Sequence, residues 1–292
     1  AWVIVTRDGW IKRQKSFTDV PSIRVRDDDL VRWIYRARAR QTLTLFTDRG
    51  IAYTLRVNDI PMTTGHGEPI QKNFAFEDQE HIVGVVCHDP RCLPTPIATA
   101  AEPQPAVQGF LNEDLANGDG GAGHASLPAP PYAVALTAGG KVLRFALAPL
   151  APLSTRKGRS VVRLDNSVDN DLVVGVEPSD GGEVVCLATK AARVMIFPVH
   201  EANVVAGSAK GVTAIKLDSR DRVIGFTLAN KMREGLKVRT NRGAEMIVRA
   251  TKYPVTGRGG RGYAVLQRGG FEVVLGEEAI PVPSLEEVGE TN

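Results

Sequence analysis

LTLFTDRGIAYTLRV, residues 43–57, reads as two half-buried strands joined by a tight Asp-Arg-Gly turn. The pattern returns four times, as VIVTRDGWIKR (3–13), AVALTAGGKVLRFAL (133–147), VVCLATKAARVMIFPV (184–199) and LKVRTNRGAEMIV (236–248). The turn position holds Gly9, Gly50, Gly140, Ala192 or Gly243. Glycine is favoured there because a short hairpin turn needs a positive φ.

Two further glycine registers trail the hairpins. Gly67, Gly158, Gly211 and Gly262 follow the turn by 17 to 19 residues, and Gly84, Gly175, Gly225 and Gly276 by 33 to 35. A unit of roughly 40 to 50 residues holding about four short strands is the mark of a propeller blade. The repeats therefore predict an all-β, five-bladed β-propeller with four-stranded blades, at about 1–41, 42–91, 132–182, 183–235 and 236–276. Between blades two and three, residues 92–131 are rich in Pro and Gly and hold no Lys or Arg, which predicts a flexible insertion. Residues 277–292 hold five glutamates and no basic residue, an acidic tail that would either compete with a polyanion for nearby cations or serve only as a solubilising appendage.

At 292 residues, 43% hydrophobic and 24% charged, the chain can bury a large core. No apolar run approaches the ~18 residues of a membrane span, and no secretory leader opens the sequence; a soluble cytoplasmic protein is expected. The start at Ala1, one residue before a strand, suggests a piece of a longer polypeptide. Three cysteines fit a reducing compartment. Cys87, His88 and Cys92 could be half a metal site, but nothing elsewhere completes the four ligands of structural zinc. Buried or loop thiols are the better reading, with no metal or cofactor in this chain.

The charge distribution points to function. The chain is formally +3, and because the insertion carries four carboxylates and the tail five, with no Lys or Arg in either, the blades carry +12. Their basic residues gather after each hairpin: Lys12, Arg13 and Lys15; Lys72; Arg156, Lys157 and Arg159; Lys210 and Lys216; Arg258, Arg261 and Arg268. One register in successive blades occupies one height and radius, so these side chains would form an arc of positive charge suited to duplex DNA. Arg36, Arg38 and Arg40, at alternate positions after the strand 30–34, would add a basic stripe if they continue it, or simply a solvated strand face. Catalytic signatures are missing. The sequence has no GxxxxGK[ST], HExxH or GxSxG, and its histidines (His66, His81, His88, His124, His200) fall in different blades or loops. GRGGRG at 257–262 does not lead into a helix, which disfavours a dinucleotide cradle; it reads better as a loop whose two arginines meet phosphates.

The repeat resembles the C-terminal DNA-wrapping domain of the A subunits of bacterial type IIA topoisomerases, gyrase and topoisomerase IV. The residues that carry the likeness are Val5 to Arg13, Phe46-Thr47-Asp48-Arg49-Gly50, Ile60-Pro61, and the loops TRKG (155–158) and SAKG (208–211). The resemblance implies a β-pinwheel, a ring whose blades exchange strands, with DNA bent around a basic rim. It further implies a monomeric, non-catalytic fragment that works beside the catalytic core of its own chain and an ATPase subunit. ATP and Mg would act in those other parts of a nucleoid-associated enzyme. Where gyrase subunits carry a Gln-, Arg- and Gly-rich box, the first blade here has VPSIRVRDDD. That departure, together with Gly65-His66-Gly67-Glu68-Pro69, Val255-Thr256-Gly257-Arg258 and five blades, is similar to topoisomerase IV; a divergent gyrase subunit is the alternative. From other classes, a propeller used as a protein-interaction platform would need apolar or mixed surfaces, and a propeller enzyme would need a cluster at the central channel.

Overall fold

The computed structural model describes residues 1–97 and 128–276. Most of the expected insertion and the whole acidic tail lie outside the described residues. Five antiparallel hairpins form first: Trp2–Thr6 with Trp10–Gln14, Thr42–Thr47 with Ile51–Arg56, Tyr132–Thr137 with Lys141–Ala146, Val184–Thr189 with Arg193–Pro198, and Gly235–Thr240 with Glu245–Arg249. Each closes through the same device. The first strand ends in a buried Thr (Thr6, Thr47, Thr137, Thr189 or Thr240) whose carbonyl accepts the N–H of the turn residue. In four of the five its hydroxyl also accepts an N–H just beyond the turn, from Trp10, Lys141, Arg193 or Ala244. The turn residue has φ of 83°, 77°, 80°, 58° and 82° in chain order, Ala192 being the one that is not glycine.

Each hairpin then gains a third strand from its own repeat, and the first four gain an outer strand from the next repeat. The sheets are Val31–Arg36, Trp2–Thr6, Trp10–Gln14, then Glu68–Pro69; and Ile82–Cys87, Thr42–Thr47, Ile51–Arg56, then Arg159–Ser160. The third is Val173–Ser179, Tyr132–Thr137, Lys141–Ala146, then Val204–Val205, with Val212–Thr213 also on Lys141–Ala146. The fourth is Val223–Ala229, Val184–Thr189, Arg193–Pro198, then Tyr263–Ala264. The fifth holds three strands, Glu245–Arg249, Gly235–Thr240 and Phe271–Val274, so the expected four-strand blade is not completed there. No sixth repeat supplies its outer strand among the described residues. The exchange also accounts for the second glycine register: a Cβ on Gly67, Gly158, Gly211 or Gly262 would lie 2.4 to 2.8 Å from a carbonyl of the preceding hairpin.

The interior is a chain of interfaces. Both faces of most hairpin strands are buried, so alternate residues enter different cores: Ala133 and Ala135 pack with Phe46 and Val86 of sheet two, whereas Val134 and Leu136 pack with Val185 and Leu187 of sheet four. Four such cores join neighbouring sheets in sequence. A fifth lies on sheet one alone, where Phe17, Val20, Ile23 and Val25 fold back over Trp2, Ile4 and Ile34. Among the described residues no strand pairs sheet five with sheet one, and no buried core joins them.

The third strands face the centre. Gly84 lies against Val176, Gly175 against Phe226 and Gly225 against Val274, each a contact between third strands of adjacent blades. The third glycine register marks this approach, with one exception. In blade five the position paired like Gly84 with Phe46 is Val273 with Arg239, and Gly276 lies beyond the strand. The link between the outer strand and the third strand is shorter in that repeat, which shifts the spacing, and no following blade packs against Val273 among the described residues.

Candidate nucleic-acid interface

With third strands at the centre and exchanged strands at the periphery, the loops that lead into the exchanged strands form the outer rim. Arg156 and Lys157 precede Arg159–Ser160, Lys210 precedes Val212–Thr213 with Lys216 just after it, and Arg258 and Arg261 precede Tyr263–Ala264. Lys72 follows Glu68–Pro69. The repeat thus carries these loops to one register on successive sheets.

The basic side chains divide into those the fold consumes and those it leaves. Lys12 is consumed. It is 1% exposed, and its ammonium donates to the carbonyls of Arg24 at 2.5 Å and Gly65 at 2.7 Å. Burial, with the Arg24 charge second, lowers its pKa. Its expected role at the DNA surface is therefore corrected: it ties the 15–30 segment and the second repeat to sheet one. Arg13 is half-buried, with Nε on the Ile60 carbonyl at 2.6 Å and Nη2 on that of Asn58 at 2.9 Å. Arg159 donates to the Pro152 and Leu153 carbonyls at 2.8 and 2.7 Å. Arg258 donates to those of Glu201 and Thr213 at 2.7 and 3.0 Å. GRGGRG therefore offers one arginine outward rather than two, because the other closes the loop on blade four.

The rest stay available. Arg156, Lys157, Lys216, Arg268 and Lys15 are exposed and hold no side-chain hydrogen bond or ion pair among the described residues. Lys72 pairs with Glu68 at 2.8 Å, Lys210 with Asp165 at 3.3 Å and Arg261 with Asp218 at 3.7 Å, all at the surface. Such pairs are worth ~0 to 1 kcal/mol and exchange readily for a phosphate. The Asp165 carboxyl is held low, at about 2, chiefly by the hydroxyl and N–H of Ser167, with Lys210 contributing least.

Arg36 and Arg38 do not join this rim. The strand ends at Arg36, whose guanidinium lies 5.9 Å from the Trp2 ring, and Arg38 opens a turn closed by Gln41 N–H on its carbonyl. The expected stripe with Arg40 is therefore not a strand face, since the chain turns before alternation can continue.

A tie that the sequence reading missed lies four residues after the hairpin turn. Arg13, Thr54 and Arg144 occupy that position, and their side chains donate to the carbonyls of Ile60, Leu150 and Ala202 in the next repeat, at 2.6, 2.9 and 2.7 Å. A polar residue recurring inside an otherwise aliphatic strand was the available signal.

The perturbed titratable groups are spent inside the protein. His88 Nε2 lies 2.8 Å from Thr44 Oγ1, and burial lowers the ring to about 4. The Cys92 thiol donates to the Arg36 carbonyl at 3.5 Å and the Cys87 sulfur accepts the Asp89 N–H at 3.5 Å, and among the described residues Cys87, His88 and Cys92 are not grouped to hold a metal. Glu177 accepts the Leu228 N–H at 3.0 Å, and burial pushes its carboxyl up to about 7. A raised folded-state pKa stabilises the fold fully below the ordinary carboxylate range and loses that contribution as pH rises through about 7. Glu177→Gln keeps the acceptor without the charge. It should raise the unfolding free energy by about 2 kcal/mol at pH 8 and leave it nearly unchanged at pH 4. Urea unfolding at the two pH values checks this, and an equal effect at both would exclude a charge origin.

The model of the DNA gyrase C-terminal domain, beta-propeller, matches residues 41–89, 131–180, 183–230 and 247–267, more than half of the chain. The chain belongs to the DNA gyrase C-terminal domain family. Similar curated proteins include the DNA gyrase A subunit of Rickettsia prowazekii, 23% identical over 238 residues, covering 77% of this chain and 22% of that protein. The DNA gyrase A subunit of Mycobacterium tuberculosis is 24% identical, over 89% of this chain and 28% of its own. The DNA topoisomerase 4 A subunit of Caulobacter vibrioides is 29% identical over 84 residues, covering 28% and 11%. The chain thus spans less than a third of the length of these relatives. Among solved structures, a C-terminal domain of DNA topoisomerase IV shares the fold with a TM-score of 0.72 at 20% identity, over 94% of this chain and 77% of that one. The E. coli ParC C-terminal domain does so with a TM-score of 0.65 at 14% identity, over 94% and 96%. The family's propeller is the fold found here.

Proposed function

We propose that this domain binds duplex DNA without sequence preference, bends it around the outer rim, and presents a segment to the catalytic core of an ATP-dependent type II topoisomerase. The observation that carries this reading is the set of cations the fold leaves unconsumed in the loops that lead into the exchanged strands of sheets two, three and four: Arg156 and Lys157, Lys210, and Arg261. Phosphate contacts position a duplex but encode no sequence. Among the described residues no three or more His, Cys, Asp or Glu side chains are grouped to hold a metal. On this reading the chemistry, with its ATP and Mg, belongs to the core and the ATPase subunit.

Within the family we favour a topoisomerase IV-like parent that relaxes and decatenates. VPSIRVRDDD (20–29) stands where a gyrase-type box would lie, and its Val20, Ile23 and Val25, with Phe17 before them, fold back on sheet one. The competing reading is a gyrase subunit, favoured by relatives of that name covering 77% and 89% of the chain against 28% for the topoisomerase 4 relative. Ligating nicked circles in the presence of saturating domain separates them. A topoisomerase IV-like domain bends the circle with little change in linking number, whereas a large stoichiometric positive shift would move the assignment to gyrase. A protein-interaction platform would leave the circles unbound at physiological salt.

A further inference from the structure

Single exposed aliphatic side chains are ordinary on a protein surface. Here they repeat. Met62 is 48% exposed, Leu153 46% and Val255 45%. All three stand 12 or 13 residues after the hairpin turn of their repeat, between a proline and a hydroxyl residue: Pro61-Met62-Thr63, Pro152-Leu153-Ser154 and Pro254-Val255-Thr256. None belongs to the cores between sheets. The fourth repeat has Asn203-Val204-Val205 at this place, and Val204 is 8% exposed.

The backbone at each site is pinned to the neighbouring blade. The N–H of the following residue donates to the carbonyl of the hairpin position four after the turn: Thr63 to Arg13 at 3.0 Å, Ser154 to Thr54 at 3.1 Å and Thr256 to Ile196 at 2.8 Å. Arg13 N–H also donates to Pro61 at 2.8 Å, and the Arg159 guanidinium holds the carbonyls of both Pro152 and Leu153. Proline fixes φ just before the exposed residue. The side chain is therefore presented on a rigid mount and loses little conformational entropy when a partner arrives. Each mount belongs to the segment that leads into an exchanged strand, close in sequence to available cations in two cases: Arg156 and Lys157 after Leu153, and Arg261 after Val255.

Resting on the DNA-rim reading above, we propose that Met62, Leu153 and Val255 are apolar wedges that press into the minor groove of the bound duplex and open a base step where it bends. Three separate aliphatics spread over sheets one, two and four do not make the contiguous apolar centre of a protein interface. They do match a long, curved, regularly repeating polyanion, which meets the same register of successive blades. Aliphatic side chains set between phosphate-binding cations are a known chemistry for kinking DNA from the minor groove, and the cost of opening a step is recovered as a bend that brings more phosphates to the rim.

The experiment compares the 292-residue chain with the triple variant Met62→Ser, Leu153→Ser, Val255→Ser. The three positions are exposed, so the variant should unfold at the same urea concentration as the parent. Two readouts are made on one thymine-rich random duplex: permanganate reactivity of thymines, which reports unstacking, and end-to-end energy transfer, which reports bending. The parent should produce reactive thymines and a shortened end-to-end distance. The variant should lose both, bind about fivefold more weakly, and show a shallower dependence of affinity on salt, because a duplex that is not bent brings fewer phosphates to the rim. Equal reactivity and equal bending in the two proteins would overturn the wedges while leaving DNA binding in place. Absence of DNA binding by the parent would instead sink the rim reading and the wedges with it.

Discussion

Gly50→Ala is expected to cost about 3 kcal/mol or more of folding stability, while Gly243→Ala, at the equivalent turn of the last blade, costs about 1 kcal/mol. Both glycines have a positive φ, 77° and 82°. An L-residue pays roughly 1 kcal/mol to adopt that conformation. The difference arises from what lies outside the turn. A Cβ on Gly50 would stand 2.2 Å from the backbone oxygen of Val162, in the segment that repeat three lays along the edge of sheet two, whereas a Cβ on Gly243 would meet nothing within 4 Å. Val162 cannot retreat as a flexible side chain could. Its N–H and that of Val161 both donate to the Gly50 carbonyl, at 3.1 and 2.9 Å, so relief of the clash must lift the exchanged strand. Losses of that size belong to the small class of substitutions with a specific steric cause. Urea unfolding of the two variants beside the parent checks the contrast. Equal losses would mean that the turn conformation alone sets the cost and that strand exchange adds nothing to the stability of blade two.

The same contrast shows what sequence reading could and could not reach. The five hairpins were legible because the turn demands one unusual backbone conformation, and a residue type reports it directly. The second glycine register was visible as spacing, but its cause, the approach of one repeat's chain to another's carbonyl, needed the fold. That blade five holds only three strands among the described residues could not be read at all, since a three-strand sheet and a four-strand sheet begin with the same hairpin. Side-chain charge was the least legible. Lys12 and Lys15 look alike in sequence, yet Lys12 lies within the strand with its ammonium on two carbonyls, and Lys15 lies just past the strand's end in solvent. Arg144 shows the converse: its place in an aliphatic strand marks a polar tie, but its partners, the carbonyls of His200 and Ala202, needed the fold. A formal charge tells where a polyanion could bind only after the carbonyls that absorb it have been counted.

The largest effect on binding is expected from reversing charge where the fold does not use it. The double variant Arg156→Glu, Lys157→Glu should lower affinity for random duplex by roughly 100-fold at low salt. It changes two phosphate-binding cations into two anions at a loop whose side chains hold no partner among the described residues. If the parent neutralises about six phosphates, log K falls against log salt with a slope of roughly −5, and removing two contacts brings that slope to about −3.6. Stability should stay within ~0.5 kcal/mol, as for substitutions at exposed sites without special contacts. Lys12→Met makes the opposite prediction. It leaves the Arg24 and Gly65 carbonyls without their ammonium donor, which costs about 2 kcal/mol of stability, but it removes no phosphate contact, so the salt slope remains that of the parent. Anisotropy titrations between about 50 and 200 mM salt on the three proteins, each checked for folding, give both quantities. A parent slope near zero, or a double variant with unchanged affinity and slope, would remove the outer rim as the DNA surface, and a flattened slope in the Lys12 variant would show that its buried ammonium reaches the duplex after all.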